Sequence, residues 1–485
     1  MQLTKKSSIA MTMTLGLAAP LTAWATNGMN LEAYGPIANG MGGAAFAYDN
    51  GTAAVANNPA TIGMMAEGNR LDAALGFLGP NISSSVPGMP DADSSADGFY
   101  MPAVGWAHKQ GQLSYGIGLF GQGGMGTEYN GDSFLAAGSG KTVRSEVGVG
   151  RLLIPLTYDV NDRFTIGGSL DYVWATMDLR MAMSGAQFGD MVSDLGGTQT
   201  YGSASGSMVT GMVGMITGGM LDPNGTVNWT RFDFSNSSAF YGEAFGDGLA
   251  AKLGMTFKVN DRLSIGATYH SKTNLSDMTT NNATVSMSVN MDDGILAGGA
   301  PTGTYSAVSV PVTGHIKVKD FQWPETYGIG LAFQATDKVL VAADVKHIGW
   351  ANVMEKFQLS FEADASQDNP LAAGFAGGTL DAAMVQDWKD QTVIALGASV
   401  QTTERLVLRA GFNTASNPIP DKYMNPLFPA TIENHFTFGG GYEINRASSV
   451  NAAFTYAPEV SATNGGGVTT THSQFNWQVM YSHLF

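Results

Sequence analysis

A tight polar turn that keeps returning constrains this chain more than any other feature. Asp159-Val-Asn-Asp-Arg-Phe164 comes back as Lys258-Val-Asn-Asp-Arg-Leu263. Looser versions stand at Gln334-Ala-Thr-Asp-Lys-Val339, Gln401-Thr-Thr-Glu-Arg-Leu406 and Glu443-Ile-Asn-Arg-Ala447. Each separates two segments in which apolar residues alternate with small or polar ones. A period of two puts every second side chain on one face, so such turns join antiparallel hairpins. Repeated along a chain with a secretory leader at one end and Phe485 at the other, the pattern predicts a transmembrane β-barrel.

The leader comprises Lys5 and Lys6, a short apolar core over Ile9 to Leu17, and the cleavage site Ala23-Trp24-Ala25. Residues 1–25 are therefore expected to be removed, and the chain to be exported. Later apolar stretches are too short for helical spans, which need roughly 18 residues. The chain lacks cysteine, which an oxidising compartment permits. Its net charge of −16 becomes more negative once Lys5 and Lys6 are lost, which disfavours a nucleic-acid partner needing a basic face, and none is expected. Charged residues make up 13% of the chain, against about 25% in an average globular protein. This depletion favours an outer-membrane barrel of a Gram-negative cell over a secreted soluble β-protein.

Residues 26–68 do not alternate. They are rich in Gly and Ala, carry the turn-forming Asn57-Asn58-Pro59-Ala60, and are expected to form an N-terminal hatch plugging the barrel. From residue 69 onward the predicted fold is all-β, a 14-stranded antiparallel transmembrane barrel occupying 69–485. Its strands are placed at about 69–79, 98–108, 112–121, 143–160, 163–180, 240–258, 262–275, 313–335, 338–350, 391–401, 405–414, 434–444, 447–457 and 471–485. Alternation sends Ile166, Leu170, Tyr172, Leu253, Met255 and Phe257 toward lipid, and Thr165, Ser169, Asp171, Lys252 and Thr256 inward. Two long extracellular loops follow, at about 181–239 and 351–390, the second with a helix near Leu380–Lys389. The first is rich in methionine, including Met208, Met212 and Met215. Flexible, polarizable side chains could gather apolar ligands there, or simply pack the loop's own helices. The last strand, ending at Phe485, has the alternation and terminal aromatic that address the barrel assembly machinery, and the protein is expected to sit as a monomer among outer-membrane lipid and lipopolysaccharide.

Several segments together resemble the FadL/TodX-type family of outer-membrane channels for hydrophobic compounds. They are Gly40-Met-Gly-Gly-Ala44, Asn58-Pro59-Ala60, Trp323-Pro324-Glu325-Thr326-Tyr327-Gly328, Arg409-Ala-Gly-Phe412 and Pro418-Ile-Pro-Asp421. The resemblance implies a hatch in the lumen, an apolar groove among the loops, a tighter site inside, and a kinked third strand that lets ligand leave sideways into the membrane. In this chain the third strand contains Gly121, Gly123, Gly124 and Gly126, which weaken pairing and permit a bulge, so the lateral opening is expected there. Long-chain fatty acids are the first choice of ligand, with aromatic or aliphatic hydrocarbons as the alternative. Parity turns Arg151, Lys252, Lys346 and Arg409 inward. Each could receive a carboxylate, or be held in structural ion pairs with Asp171 and Asp344.

Other motifs do not survive inspection. Gly138-Ser-Gly-Lys-Thr142 lacks the first glycine of a phosphate loop, and the G-x-G-x-x-G matches within 116–126 open no helix. Asp91, Asp93 and Asp97 lack the glycine of a calcium loop. The seven histidines have no zinc-hydrolase spacing. No metal or cofactor is therefore expected, and no nucleophile stands out, so the chain is not read as an enzyme. The rivals are a general porin, needing an open polar lumen, and an outer-membrane lipid hydrolase.

Overall fold

The computed structural model describes residues 27–222, 227–238 and 241–485. The expected leader, residues 1–25, lies outside them. The recurring turns work through one side-chain oxygen each. Asn161 Oδ1 accepts from the backbone N–H of Arg163 (2.9 Å) and Phe164 (3.0 Å), and Asn260 Oδ1 accepts from Arg262 and Leu263 at 2.9 Å each. Thr403 Oγ1 does the same for Arg405 and Leu406. These local bonds close the turn without any help from the rest of the fold.

The strands between the turns form one antiparallel, closed sheet. The expectation of fourteen strands is corrected here: among the described residues the sheet carries eighteen strands of eight or more residues. They are β1 Gly68–Ser85, β2 Phe99–Gln110, β3 Leu113–Tyr129, β4 Val143–Asp159, β5 Phe164–Ser184, β6 Val227–Phe234, β7 Ala244–Asn260, β8 Leu263–His270 and β9 Ala283–Asp292, followed by β10 Tyr305–Lys319, β11 Thr326–Thr336, β12 Val339–Ile348, β13 Lys356–Ala363, β14 Gln391–Gln401, β15 Leu406–Ala415, β16 Asn434–Asn445, β17 Ser448–Thr463 and β18 Thr469–Leu484. The circuit closes where β18 pairs with β1, from Arg70↔Leu484 to Ser85↔Thr469. Closure satisfies both edges, as a sheet in hydrocarbon must.

Four of the strands, β6, β9, β10 and β13, branch from the upper part of β5 and pair in the order β5–β6–β9–β10–β13. β5 itself divides: Phe164–Met177 pairs with β7, Leu179–Ser184 with β6. These strands occupy segments read as loops, or merged, as with 313–335, into a neighbouring wall strand. Their sequences hide them because little of them faces lipid. In β9 most residues on both parities are buried, so the period of two never appears. The helix expected near Leu380–Lys389 is likewise a strand, Thr379–Val385, because β13 offers a ladder from Lys356↔Val385 to Glu362↔Thr379. Tertiary pairing outweighs the weak helical preference of Ala-Ala-Met.

The face assignments hold. Ile166, Leu170, Tyr172, Leu253, Met255 and Phe257 are exposed on the outer wall, while Thr165, Ser169, Asp171, Lys252 and Thr256 are buried inside. Inside the wall lies the segment Asn27–Met65, coiled into short helical turns at Pro36–Asn39, Ala54–Asn57 and Pro59–Met64 and almost wholly buried. Its partners come from every side of the circuit. Asp344 on β12 accepts from Ala45 N (2.6 Å) and Phe46 N (3.1 Å), and Asp72 on β1 accepts from Thr52 N (2.7 Å). Thr437 on β16 accepts from Gly42 N (2.9 Å), and Asn413 on β15 donates to Gly42 O (3.1 Å). Only a lumenal position permits all of these. Inward glycines make the room: a Cβ at Gly254 would overlap Asn58 Oδ1, and one at Gly411 would overlap the Gly42 amide.

Candidate functional site

The wall parts at one place. The β2–β3 ladder runs from Gln110↔Leu113 to Val104↔Leu119 and stops. Beyond it, Phe99–Ala103 stays with β1, while β3 continues on β4 alone, with a register shift between Gly121 and Gly123. The local chemistry accounts for the parting. Pro102 has no N–H to offer a ladder, and the opposite edge is glycine-rich. The N-terminal segment takes up the freed strand: Asn30 bridges to Gly123, and Gly124 N donates to Met29 O at 3.1 Å. Gly121, Gly123, Gly124 and Gly126 all lie along this edge. The Phe99 ring lies across the parting, its Cζ 2.9 Å from where a Cβ on Gly126 would stand.

Behind the slot is a cavity of about 290 Å³. Leu78, Ile82, Met101, Met125 and Val147 line it from within, together with the Met29–Glu32 backbone path. Tyr100 and Pro102, whose parity turns them outward, line it too, so the cavity reaches from lumen to lipid side. Its polar residues are Asn30, Glu32, Glu146, His472, Gln474 and Asn476; neither Lys nor Arg is among its lining residues.

The four inward cations lie elsewhere, each already engaged. Arg151 pairs with Asp171 at 2.8 Å. Lys252 Nζ is 3.3 Å from Ala56 O and 3.2 Å from His270 Nδ1. His270 Nε2 donates to Asn57 O (2.9 Å), which leaves Nδ1 to accept from the lysine. Lys346 donates to Glu32 O (2.6 Å), and Arg409 to Asn451 Oδ1 (3.0 Å). Lys252 and Lys346 thus clasp the N-terminal segment.

Asn58 caps the turn Pro59–Met64 by accepting from Ala60 N (3.1 Å), while its Nδ2 donates to Phe46 O (2.8 Å) and Met255 O (3.3 Å). Met208 and Met212, on a helix spanning Ser207–Thr217, are buried in the extracellular core, with Met215 packed partly against it. They do not line the cavity. Sequence reasoning missed Phe99, Met101, Glu146, Gln474 and Asn476. Pro102 was the available signal, since a proline inside an alternating run marks an edge.

Strands that expose an apolar belt, a filled lumen and a wall parted on one side define an outer-membrane barrel built for passage rather than anchorage. The chain belongs to the outer membrane protein transport protein family (OMPP1/FadL/TodX), which residues 18–479 match. It is similar to the toluene transporter TodX of Pseudomonas putida, with 28% identity and a TM-score of 0.77 over 94% of this chain and 99% of that one. It is also similar to the toluene transporter TbuX of Ralstonia pickettii, with 27% identity and a TM-score of 0.72 over 94% and 99%. A stretch of 89 residues is 47% identical to an uncharacterized protein from the 5′ region of the phosphoenolpyruvate carboxykinase gene of Chlorobium limicola. That match spans 18% of this chain and 41% of that relative's own length. The protein is an outer-membrane β-barrel of a transport family for hydrophobic compounds.

Proposed function

We propose that this protein is a channel for passive uptake of uncharged hydrophobic small molecules, of the monoaromatic hydrocarbon class, with sideways release through the slot between β2 and β3. The observation that carries the reading is the cavity behind that slot, mainly apolar and without a lysine or arginine on its walls. A fatty-acid carboxylate placed there would meet no free cation on the lining, since the arginine beside it, Arg144, is already paired with Glu146, Glu128 and Asp178, and an unpaired charge in a site of low dielectric is costly. The cations that might have received it are committed to Asp171, His270, Glu32 and Asn451. Size agrees with a small ligand, since about 290 Å³ falls just below the roughly 300–1,000 Å³ typical of ligand pockets. The similar TodX and TbuX are named toluene transporters.

In this reading Asn27–Met65 is a hatch, held by Asn58 and the inward cations, and Met29 and Asn30 tie it to the kinked edge of β3. Sideways exit keeps an apolar ligand out of water, which would cost about 25 cal/mol per Å² exposed. Met208, Met212 and Met215 pack the extracellular loop. The channel works as a monomer within the lipopolysaccharide-bearing membrane, with the strand ending at Phe485 read by the assembly machinery.

The test is uptake of labelled toluene and labelled oleate by cells with and without the protein. Toluene should enter in a protein-dependent way and oleate should not. Protein-dependent oleate uptake would overturn the neutral-ligand reading and direct mutagenesis to Arg151, Lys252, Lys346 and Arg409. Entry of small sugars alone would make the protein a porin.

A further inference from the structure

One wall of the cavity is more polar than a plain hydrocarbon requires. β18 turns its even-numbered residues inward, placing Gln474 and Asn476 side by side on the lining. Their amides are oriented by their bonds. Asn476 Oδ1 accepts from Gly79 N (3.3 Å) and from Gln474 Nε2 (2.9 Å), which fixes which end of each amide is oxygen. Asn476 Nδ2 and Gln474 Oε1 are left over: neither has a partner among the described residues, and neither is shut off from the cavity that both residues line. One free donor and one free acceptor therefore belong to adjacent, hydrogen-bonded amides at the edge of an apolar chamber.

We propose that this amide pair binds a hydroxyl group, so that the preferred ligand is an aromatic ring carrying one neutral hydroxyl, a phenol, rather than the unsubstituted hydrocarbon. The inference rests on the neutral-ligand reading above. A hydroxyl matches the pair because it accepts and donates at once: its oxygen takes the Asn476 N–H and its proton goes to Gln474 Oε1. An apolar ring in the same place would strip water from both amides and return nothing. Sites built to hold a hydroxyl discriminate strongly against analogues lacking it, because their own polar groups are then left unpaired. No lysine or arginine on the lining would balance an ionised phenolate, so the neutral form is the one held. The ring would rest against Leu78 and Val147.

The experiment is competition against labelled toluene uptake by p-cresol and p-xylene, which share a shape and differ by a hydroxyl in place of a methyl, each corrected for membrane partitioning. p-Cresol should compete at about tenfold lower concentration, the worth of one net hydrogen bond. Gln474→Met keeps the side-chain size and the Asn476 bond to Gly79; it should erase the advantage of p-cresol over p-xylene. Asn476→Leu should do the same, with barrel integrity checked by heat-modifiable gel mobility. Equal competition by the two compounds in the parent protein would overturn the inference, and so would a p-cresol advantage that survives Gln474→Met. Absence of any protein-dependent toluene uptake would instead overturn the parent reading, so the two failures are distinguishable.

Discussion

Asn58 shows how much one side chain can be asked to do. Its oxygen caps a helical turn while its nitrogen ties two distant carbonyls, those of Phe46 and Met255. Aspartate would supply the cap and lose the ties. The turn was legible from Asn-Pro-Ala alone, because an Asx cap before proline is a local event. That its nitrogen would reach β7 opposite Gly254 was not. Glu433, in the extracellular connection before β16, carries a pH prediction. Burial, with the charge of Asp421 added, pushes its carboxyl up to about 8. One of its oxygens, Oε2, has no hydrogen-bond partner among the described residues. The folded chain thus holds a proton that the unfolded chain releases near its ordinary value of about 4.3. Between those values the folded state binds more protons, so stability at this site falls as pH rises from about 5 to 8. Glu433→Gln should remove that part of the slope, raising thermal stability at pH 8.5 while leaving it nearly unchanged at pH 4. An unaltered difference between the two pH values would show that the residue ionises freely.

At the scale of elements, the decisive object is a ladder that ends early. β2 and β3 share a turn at Gly111 and separate beyond Val104↔Leu119. Glycines on one edge and Pro102 on the other were visible in the sequence, and they flank the place where the ladder stops. The ring that fills it was not visible. Phe99 reads as one more aromatic in an alternating strand, and its position across from Gly126 depends on how far β3 bends. Phe99→Ala should widen the slot, speeding uptake of toluene and admitting bulkier bicyclic hydrocarbons, as read by initial uptake rates. Unchanged rates and unchanged size selectivity would place the exit elsewhere. The branch strands teach the opposite lesson. β9 pairs on both edges and buries side chains on both faces, while β13 alternates but turns polar residues such as Lys356 and Glu362 outward, so neither carries the apolar lipid-facing stripe that announces a wall strand.

For the whole molecule, the wall and its contents are separable. Closure between β1 and β18 rests on a continuous backbone ladder, whereas the N-terminal segment is held largely by side chains such as Asp344, Asp72 and Lys346. Removing residues 26–65 should leave a folded barrel whose lumen, lined by those charges, fills with water. Planar-bilayer recordings should then show a large unselective conductance that the intact protein lacks. Retained selectivity would remove the hatch role from this segment. By itself the sequence determined the barrel class, the hairpin turns, the inner and outer faces and the compact N-terminal segment. All of these are written in local chemistry: a side-chain oxygen closing its own turn, or a period of two repeated along a strand. Only the tertiary structure decided the number of strands, because β9 is buried on both faces and β13 turns a polar face outward, so neither shows the apolar stripe of a wall strand. Only it showed how the inward charges are engaged as well. Arg151, Lys252, Lys346 and Arg409 do point inward, as their parity required, but whether an inward charge is free or already paired depends on residues far away in the chain.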